Sequence, residues 1–229
     1  MIYSQRVNIP YFCLTEPESF KDAIRLQNLC NEKSVIYNGD GWYLGAEKAT
    51  FKPVDLTLLS NMPDIESLKL YTCTLVHPEY LRELPKLSRL DVMYCKCSID
   101  SPLMLSNIKI CKATDIKIVL KLCDISALNH LVLRGERILD LSFLKTASSL
   151  RRLELLCCTN LTDCSALQYT KRIQTLVLRE CENIMDYTFL KNMSALKKVY
   201  IKCTDMEQAL IDQIKTIQEQ RGFSIQWIE

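Results

Sequence analysis

Between residues 150 and 204 the apolar positions recur as one phrase. Leu150, Leu153, Leu155 and Cys158 are followed by Ile173, Leu176, Leu178 and Cys181, and then by Leu196, Val199, Ile201 and Thr204. The form is L-x-x-L-x-L-x-x-C/T, and its middle position advances by 23 residues each time. The inner L-x-L alternates with period two, the mark of a strand with one buried face. A single short strand cannot bury that face alone, whereas stacked copies bury a continuous core. The small closing residue turns the chain off the strand. A Cys there is a small apolar plug with a weak donor.

Earlier copies follow the same rule. Ile65, Leu68, Leu70 and Cys73, with Leu75 after them, form one phrase; Leu87, Leu90, Val92 and Cys95 form the next, 22 residues on. A second element, D-x-[ST]-x-L, precedes four strands, at Asp55, Asp140, Asp163 and Asp186. Its Leu (Leu59, Leu144, Leu167, Leu190) falls nine residues before Leu68, Leu153, Leu176 and Val199. Residues 97–130 break the rhythm. Leu105, Ile108 and Ile110 make a phrase after only 18 residues; Ile118, Leu120, Leu122 and Cys123 offer another; and the D-x-S-x-L at Asp124 lies too close to Leu131. A shortened repeat and a displaced strand both fit this stretch.

The two ends carry other patterns. Thr15 and Glu18 make a capping box, with Pro17 in the first turn of a helix expected over 11–33 and striped by Phe20, Ala23, Ile24 and Cys30. Val35, Ile36 and Tyr37, the turn Asn38-Gly39-Asp40-Gly41, and Trp42, Tyr43 and Leu44 predict strand, tight turn, strand. At the other end Asp205 and Gln208 resemble a capping box. Met206, Ala209, Leu210, Ile214 and Ile217 line one helical face, and Gly222 stops the helix. Phe223, Ile225 and Trp227 then alternate as a last strand, with Ile225 placed 24 residues after Ile201 to continue the ladder. The division is an N-terminal cap over 1–50, repeats over 51–204 and a C-terminal capping helix and strand over 205–229.

The 22–23-residue unit with its D-x-[ST]-x-L element resembles the leucine-rich-repeat family, in the internalin and phosphatase-regulator subtype. The phrases CTNLTD (158–163) and CENIMD (181–186) also resemble the cysteine-containing subtype seen in F-box proteins. Many such repeats close the phrase with Asn, whose side chain bonds loop backbone; here Cys or Thr stands in its place. The resemblance implies an α/β leucine-rich-repeat solenoid, curved, with seven or eight parallel strands on the concave face and a cap at each end. It implies a binding scaffold rather than an enzyme. It also raises substrate recruitment for ubiquitin ligation, although residues 1–50 show no clear F-box helix set.

Bulk properties narrow this little. The chain has 229 residues, 48% hydrophobic and 24% charged, ordinary for a folded domain with a real core. A nucleic-acid-associated binding protein using the basic strand face is an alternative, against which the net charge of +2 argues, and that charge nominates no anionic membrane. Five Gly and seven Pro leave little room for flexible linkers. The start MIYSQRVNIPYFCL has no apolar run after a basic region, and no stretch has the apolar length of a spanning helix. The expected setting is cytoplasmic and reducing, with the twelve cysteines as thiols.

Chemistry-bearing motifs are sparse. His77 precedes Pro78 in an expected turn; His130 sits on a strand, facing out; neither has a sequence neighbour completing a nucleophilic triad. Cys95-x-Cys97 and Cys157-Cys158 invite a metal reading, but there is no C-x-x-C, and no phosphate loop follows the glycines at 39 and 41. Cys111, Cys157 and Cys203 are expected on or beside outward positions as exposed thiols. No cofactor or metal is expected. What remains is the surface formed by the x residues of each strand. Its candidate partner-binding residues are Tyr71, Arg89, His130, Arg134, Arg152, Glu154, Val177, Arg179, Lys198, Tyr200 and Lys202, with Leu156, Val177 and Tyr200 expected to stand exposed among the charges. Arg and Lys interleaved with apolar and aromatic groups is the composition that interface hot spots favour. The expectation is a non-enzymatic protein–protein interaction module, adaptor or regulatory scaffold, that takes a protein partner with an acidic or mixed acidic and apolar segment.

Overall fold

The computed structural model describes residues 2–3, 12–14, 33–38, 51–203 and 206–228. The expected helix over 11–33 and the second strand at Trp42–Leu44 lie largely or wholly outside these residues. The chain divides into two compact units: Met1–Ala113 with Lys117–Asp124, and Thr114–Ile116 with Ile125–Glu229.

In the first unit β1 (Ile2–Tyr3) pairs antiparallel with β2 (Phe12–Leu14), and β2 runs parallel to β3 (Ser34–Asn38). A second, smaller ladder begins at β4 (Lys52–Asp55). The main ladder continues through β5 (Ser67–Tyr71), whose chain turns into β6 (Cys73–Val76). Next come β7 (Arg89–Met93), with β8 (Lys96–Cys97) after it, and β9 (Ile110–Ala113). β4, β6 and β8 are themselves parallel, and Leu75 pairs with Cys97 as their shared repeat position requires. The chain returns through 3-10 helices at Leu56–Asn61 and Pro78–Glu83.

The irregular stretch resolves into a strand with small inward residues. Leu90 pairs with Cys111 and Val92 with Ala113, so Cys111 and Ala113 take the two Leu positions and Ile110 faces outward. Cys111 is fully buried, which corrects its expected exposure: the strand sits three residues later than the Leu105–Ile108–Ile110 spacing suggests. The alternative phrase at 118–123 is instead the helix α1 (Ile116–Leu122). Leu122 lies nine residues before Leu131, the spacing kept by Leu144, Leu167 and Leu190. Leu128, also buried, opens the phrase that Leu131 continues. The D-x-S-x-L at Asp124 is therefore out of register with the other four.

The second unit stacks β10 (His130–Arg134), β11 (Arg152–Leu156), β12 (Thr175–Arg179), β13 (Lys198–Lys202) and β14 (Ser224–Trp227), all parallel. Leu131, Leu153, Leu176 and Val199 stand side by side, as do Leu133, Leu155, Leu178 and Ile201, each at most 1% exposed. Burying one such side chain contributes about 2 kcal/mol. 3-10 helices at Ser142–Thr146, Ser165–Tyr169 and Thr188–Asn192 bring Leu144, Leu167 and Leu190 into the same core. α2 (Gln208–Arg221) buries Ile214 and Ile217 and ends on Gly222 at φ +75°. Of the rest of its expected face, Met206 and Leu210 are half-buried and Ala209 is exposed. Asp205 lies outside the described residues; Gln208 opens the helix, and its amide donates to Asp212. β14 continues the ladder, but Ile225 pairs with Val199, not Ile201, and leaves Trp227 beside Ile201.

Three devices repeat between coils. Each D-x-[ST] carboxylate accepts the backbone N–H two residues on, at Thr57, Ser142, Ser165 and Thr188 (2.7–3.0 Å), and so ties down the start of a 3-10 helix. The closing cysteines reach strand-end carbonyls: Cys95 Sγ lies 3.3 Å from the Leu70 oxygen, Cys181 Sγ 3.4 Å from that of Leu155, and Cys158 Sγ 3.8 Å from that of Leu133. This is the bonding role Asn fills elsewhere. Finally, the residue after the strand is left-handed: Thr72, Tyr94, Cys157 and Glu180 at φ 52–55°, Gly135 at φ +104°. In Thr72, Gly135, Cys157 and Glu180 that turn aims the N–H at the last strand carbonyl of the next coil, at 2.7–3.0 Å.

At Gly135 no atom lies within 4 Å of a would-be Cβ, so only the backbone resists a side chain. Gly135→Ala is expected to lower the unfolding free energy by about 1–2 kcal/mol, read by urea denaturation, with no change in the folded spectrum.

Candidate functional site

Strand alternation sends every second side chain outward, and the parallel register lines these side chains up in rows across neighbouring strands. In the second unit one row is His130, Arg152, Thr175, Lys198 and Ser224. The next is Val132, Glu154, Val177, Tyr200 and Gln226. The third is Arg134, Leu156, Arg179 and Lys202. Nine of the eleven residues singled out from the sequence thus share one face: His130, Arg134, Arg152, Glu154, Val177, Arg179, Lys198, Tyr200 and Lys202. Tyr71 and Arg89 belong to the first unit.

The rows are not equally available. Glu154 is gripped from both sides: His130 Nε2 lies 2.7 Å from its Oε1, and Arg152 Nε donates to the same oxygen at 2.7 Å. His130 first, and Arg152 after it, hold the Glu154 carboxyl down at about 2 against the opposing effect of its partial burial. Val177 is 7% exposed and Val132 3%. This corrects the expectation that Val177 stands among the charges: its neighbours in the row are Glu154 and Tyr200, whose long side chains flank it. Leu156 and Tyr200 are half-buried, and Arg134, Arg179 and Lys198 are exposed. Arg179 Nε approaches Glu180 Oε1 at 3.5 Å, and Cys157 Sγ donates to Glu180 Oε2 at 3.1 Å. Burial first, and then the Glu180 carboxylate, push the Cys157 thiol up, away from the reactive thiolate.

On the first unit's face the rows are Ser34, Ser67, Arg89 and Ile110; Ile36, Lys69, Asp91 and Lys112; and Asn38, Tyr71 and Met93. Asp91 is buried at 1% exposure although it sits on an outward position. Arg89 donates to both its oxygens, Nε to Oδ1 at 3.2 Å and one terminal nitrogen to Oδ2 at 3.1 Å. A paired, buried carboxylate among three basic residues was not in the sequence-derived set. Ser67, Lys69 and Asp91 are readable at strand positions, but Lys112 is hidden because Cys111 and Ala113 replace the leucines that mark a strand.

Elsewhere the chemistry is structural. His77 is exposed in a left-handed turn with its Nδ1 3.1 Å from Glu79. The ten described cysteines are thiols, not disulfides. The Cys73 and Cys95 sulfurs touch at 3.6 Å; that contact and burial push the Cys73 thiol well up, and burial takes Cys164 up to about 12. Cys157 and Cys203 are half-buried. No group of three or more metal-ligating side chains occurs among the described residues. A polar pocket lined by Asp163, Ser165, Gln168, Asp186, Thr188 and Lys191 lies in the 3-10 layer of the second unit, its carboxylates accepting the backbone N–H groups of Ser165 and Thr188. No helix among the described residues is long and apolar enough to cross a membrane.

No protein-family model matches the chain, and no curated protein matches it. Its fold is nevertheless shared. An internalin from Listeria monocytogenes superimposes with a TM-score of 0.54 at 17% identity over 83% of this chain. Internalin C2 from the same organism does so with 0.50 at 16% identity over 79%. The match spans 57% of the first structure and 77% of the second. Together with the parallel ladders and the in-register leucines, these likenesses show an α/β leucine-rich-repeat fold.

Two outcomes follow from the ion pairs. Glu154 is bound more tightly as a carboxylate in the folded chain than in the unfolded one. Its stabilisation is present above its ordinary value of 4.5 and is lost as pH falls from there towards about 2. Denaturation midpoints for Glu154→Gln are expected to vary less with pH across that window than those of the wild type. Asp91→Ala leaves Arg89, 31% exposed, without its partner. A loss of about 3 kcal/mol in unfolding free energy is expected, at the low end for a broken buried pair because Arg89 keeps some solvent.

Proposed function

We propose that this leucine-rich-repeat chain is a non-enzymatic interaction module, an adaptor or regulatory scaffold of the reducing cell interior. On this reading it receives an acidic segment of another protein across the outward strand face of its second unit. The observation that carries the proposal is the row Arg134, Leu156, Arg179, Lys202: three cations in register around a half-buried leucine, one row over from Tyr200. An extended acidic peptide crossing the strands presents carboxylates at a comparable repeat, and an apolar side chain between them meets Leu156 or Tyr200. Arg152 and His130 contribute less, because Glu154 already balances them. The buried valines of the middle row form a floor rather than a contact.

The experiment is affinity capture with three proteins: the wild type, an Arg134→Glu/Arg179→Glu/Lys202→Glu variant, and a control reversed at Lys145 and Lys191 in the 3-10 layer. A partner retained by the wild type and the control, lost with the triple variant and carrying an acidic segment is the expected result. The same proteins captured by all three overturn the proposal. A capture that collapses with modest salt and contains nucleic acid replaces it with a polyanion-binding reading.

A further inference from the structure

The first unit's face carries a different arrangement of charge. Lys69 and Lys112 are the register neighbours of Asp91 on either side, so their backbones stand two strand spacings apart, about 10 Å. Both side chains leave the sheet on the same face as Asp91, and a lysine stem is long enough for the two ammonium groups to lean in over it. Asp91 is consumed by Arg89, which donates to both its oxygens. That pairing fixes the guanidinium plane and uses two of its five N–H groups. Three cations and one carboxylate thus share this stretch of the face.

A second observation is independent of this charge. Ser67 is level with Arg89 and two residues before Lys69, on the same face. Its Oγ is buried and has no hydrogen-bond partner among the described residues. A shielded hydroxyl without a partner is uncommon in a native fold and calls for an explanation. Here it is a donor standing beside a cationic cluster.

We propose that Ser67, Lys69, Arg89 and Lys112 form a binding site for a phosphate monoester dianion, held over the Asp91 carboxylate that orients Arg89. The dianion brings two charges to this basic stretch, where a carboxylate brings one. Its three terminal oxygens take two ammonium groups and the shared donors of Arg89 and Ser67. Asp91 keeps the empty site from collapsing: without it, three cations would repel one another on adjacent strands. Lys69 already feels this crowding, since burial first and the Arg89 charge second lower its pKa, with Lys112 adding to the effect. A bound dianion relieves it. The site lies on residues that the acidic-segment reading of the second unit does not use.

Isothermal titration of the full chain with inorganic phosphate, against chloride at matched ionic strength, tests the site. Saturable one-to-one binding of phosphate is expected. Lys69→Ala and Lys112→Gln are each expected to weaken it about tenfold, the worth of one charge-assisted hydrogen bond. Ser67→Ala is expected to weaken it severalfold, while the Arg134→Glu/Arg179→Glu/Lys202→Glu variant binds as the wild type does. A phosphoserine peptide and its unphosphorylated form identify the source. Tighter binding of the phosphopeptide than of free phosphate assigns the site to a modified protein; equal or weaker binding assigns it to a small phosphorylated molecule. Heats no larger than those of chloride, or equal weakening by the second-unit variant, overturn the proposal.

Discussion

The constraint on which each unit depends is that no coil can bury its own strand. A five-residue strand such as Arg152–Leu156 offers two leucines to one side, and they are fully covered only because Leu131 and Leu133 stand before them and Leu176 and Leu178 after. Stability is therefore a sum over neighbours, and each coil must leave its strand at the same place and the same angle as the last. The left-handed residue after the strand enforces that exit. It extends the inter-coil hydrogen bonding by one N–H, so the mild strain of a non-glycine φ near +53° is offset at each step. The closing thiol then ties the departing chain to a strand-end carbonyl. Cysteine satisfies that carbonyl weakly and fills the space behind it as an apolar group, which suits an apolar core rich in leucine.

The same regularity organises the surface. Because register is kept from strand to strand, outward side chains form rows, and what a row can do depends on which charges it pairs internally. In the second unit Glu154 draws Arg152 and His130 into one network, leaving the cationic character to the row of Arg134, Arg179 and Lys202. In the first unit a single carboxylate, Asp91, sinks between basic neighbours and takes one of them, Arg89, as a two-point partner. These are two chemically distinct faces.

Replacing leucine with small residues changes the repeat without breaking it. Cys111 and Ala113 occupy positions filled elsewhere by leucine and valine, and the return segment there includes the helix α1 as well as a 3-10 turn. The strand keeps its register because the backbone ladder to Leu90 and Val92 demands it, not because its side chains announce it. The price of that economy is legibility: a strand reading I-C-K-A carries almost no periodic signal.

The sequence by itself determined the repeat, its 22–23-residue period, the strand positions wherever Leu, Ile or Val recur, and which side chains point outward. Period-two alternation and fixed spacing are local properties, and the registers of β5, β7 and β10–β13 follow them. It also located the aspartates at the start of the 3-10 helices, since a short carboxylate two residues before Ser or Thr has a local use. Only the tertiary structure decided what depends on a neighbour across the sheet: that Val177 is covered rather than exposed, that Cys111 faces inward, that Ile225 aligns with Val199, that Glu154 balances His130 and Arg152, and that Lys112 stands beside Asp91. Alignment across the sheet, and the exposure it sets, belong to residues some 20 positions apart, and no single-strand pattern contains them.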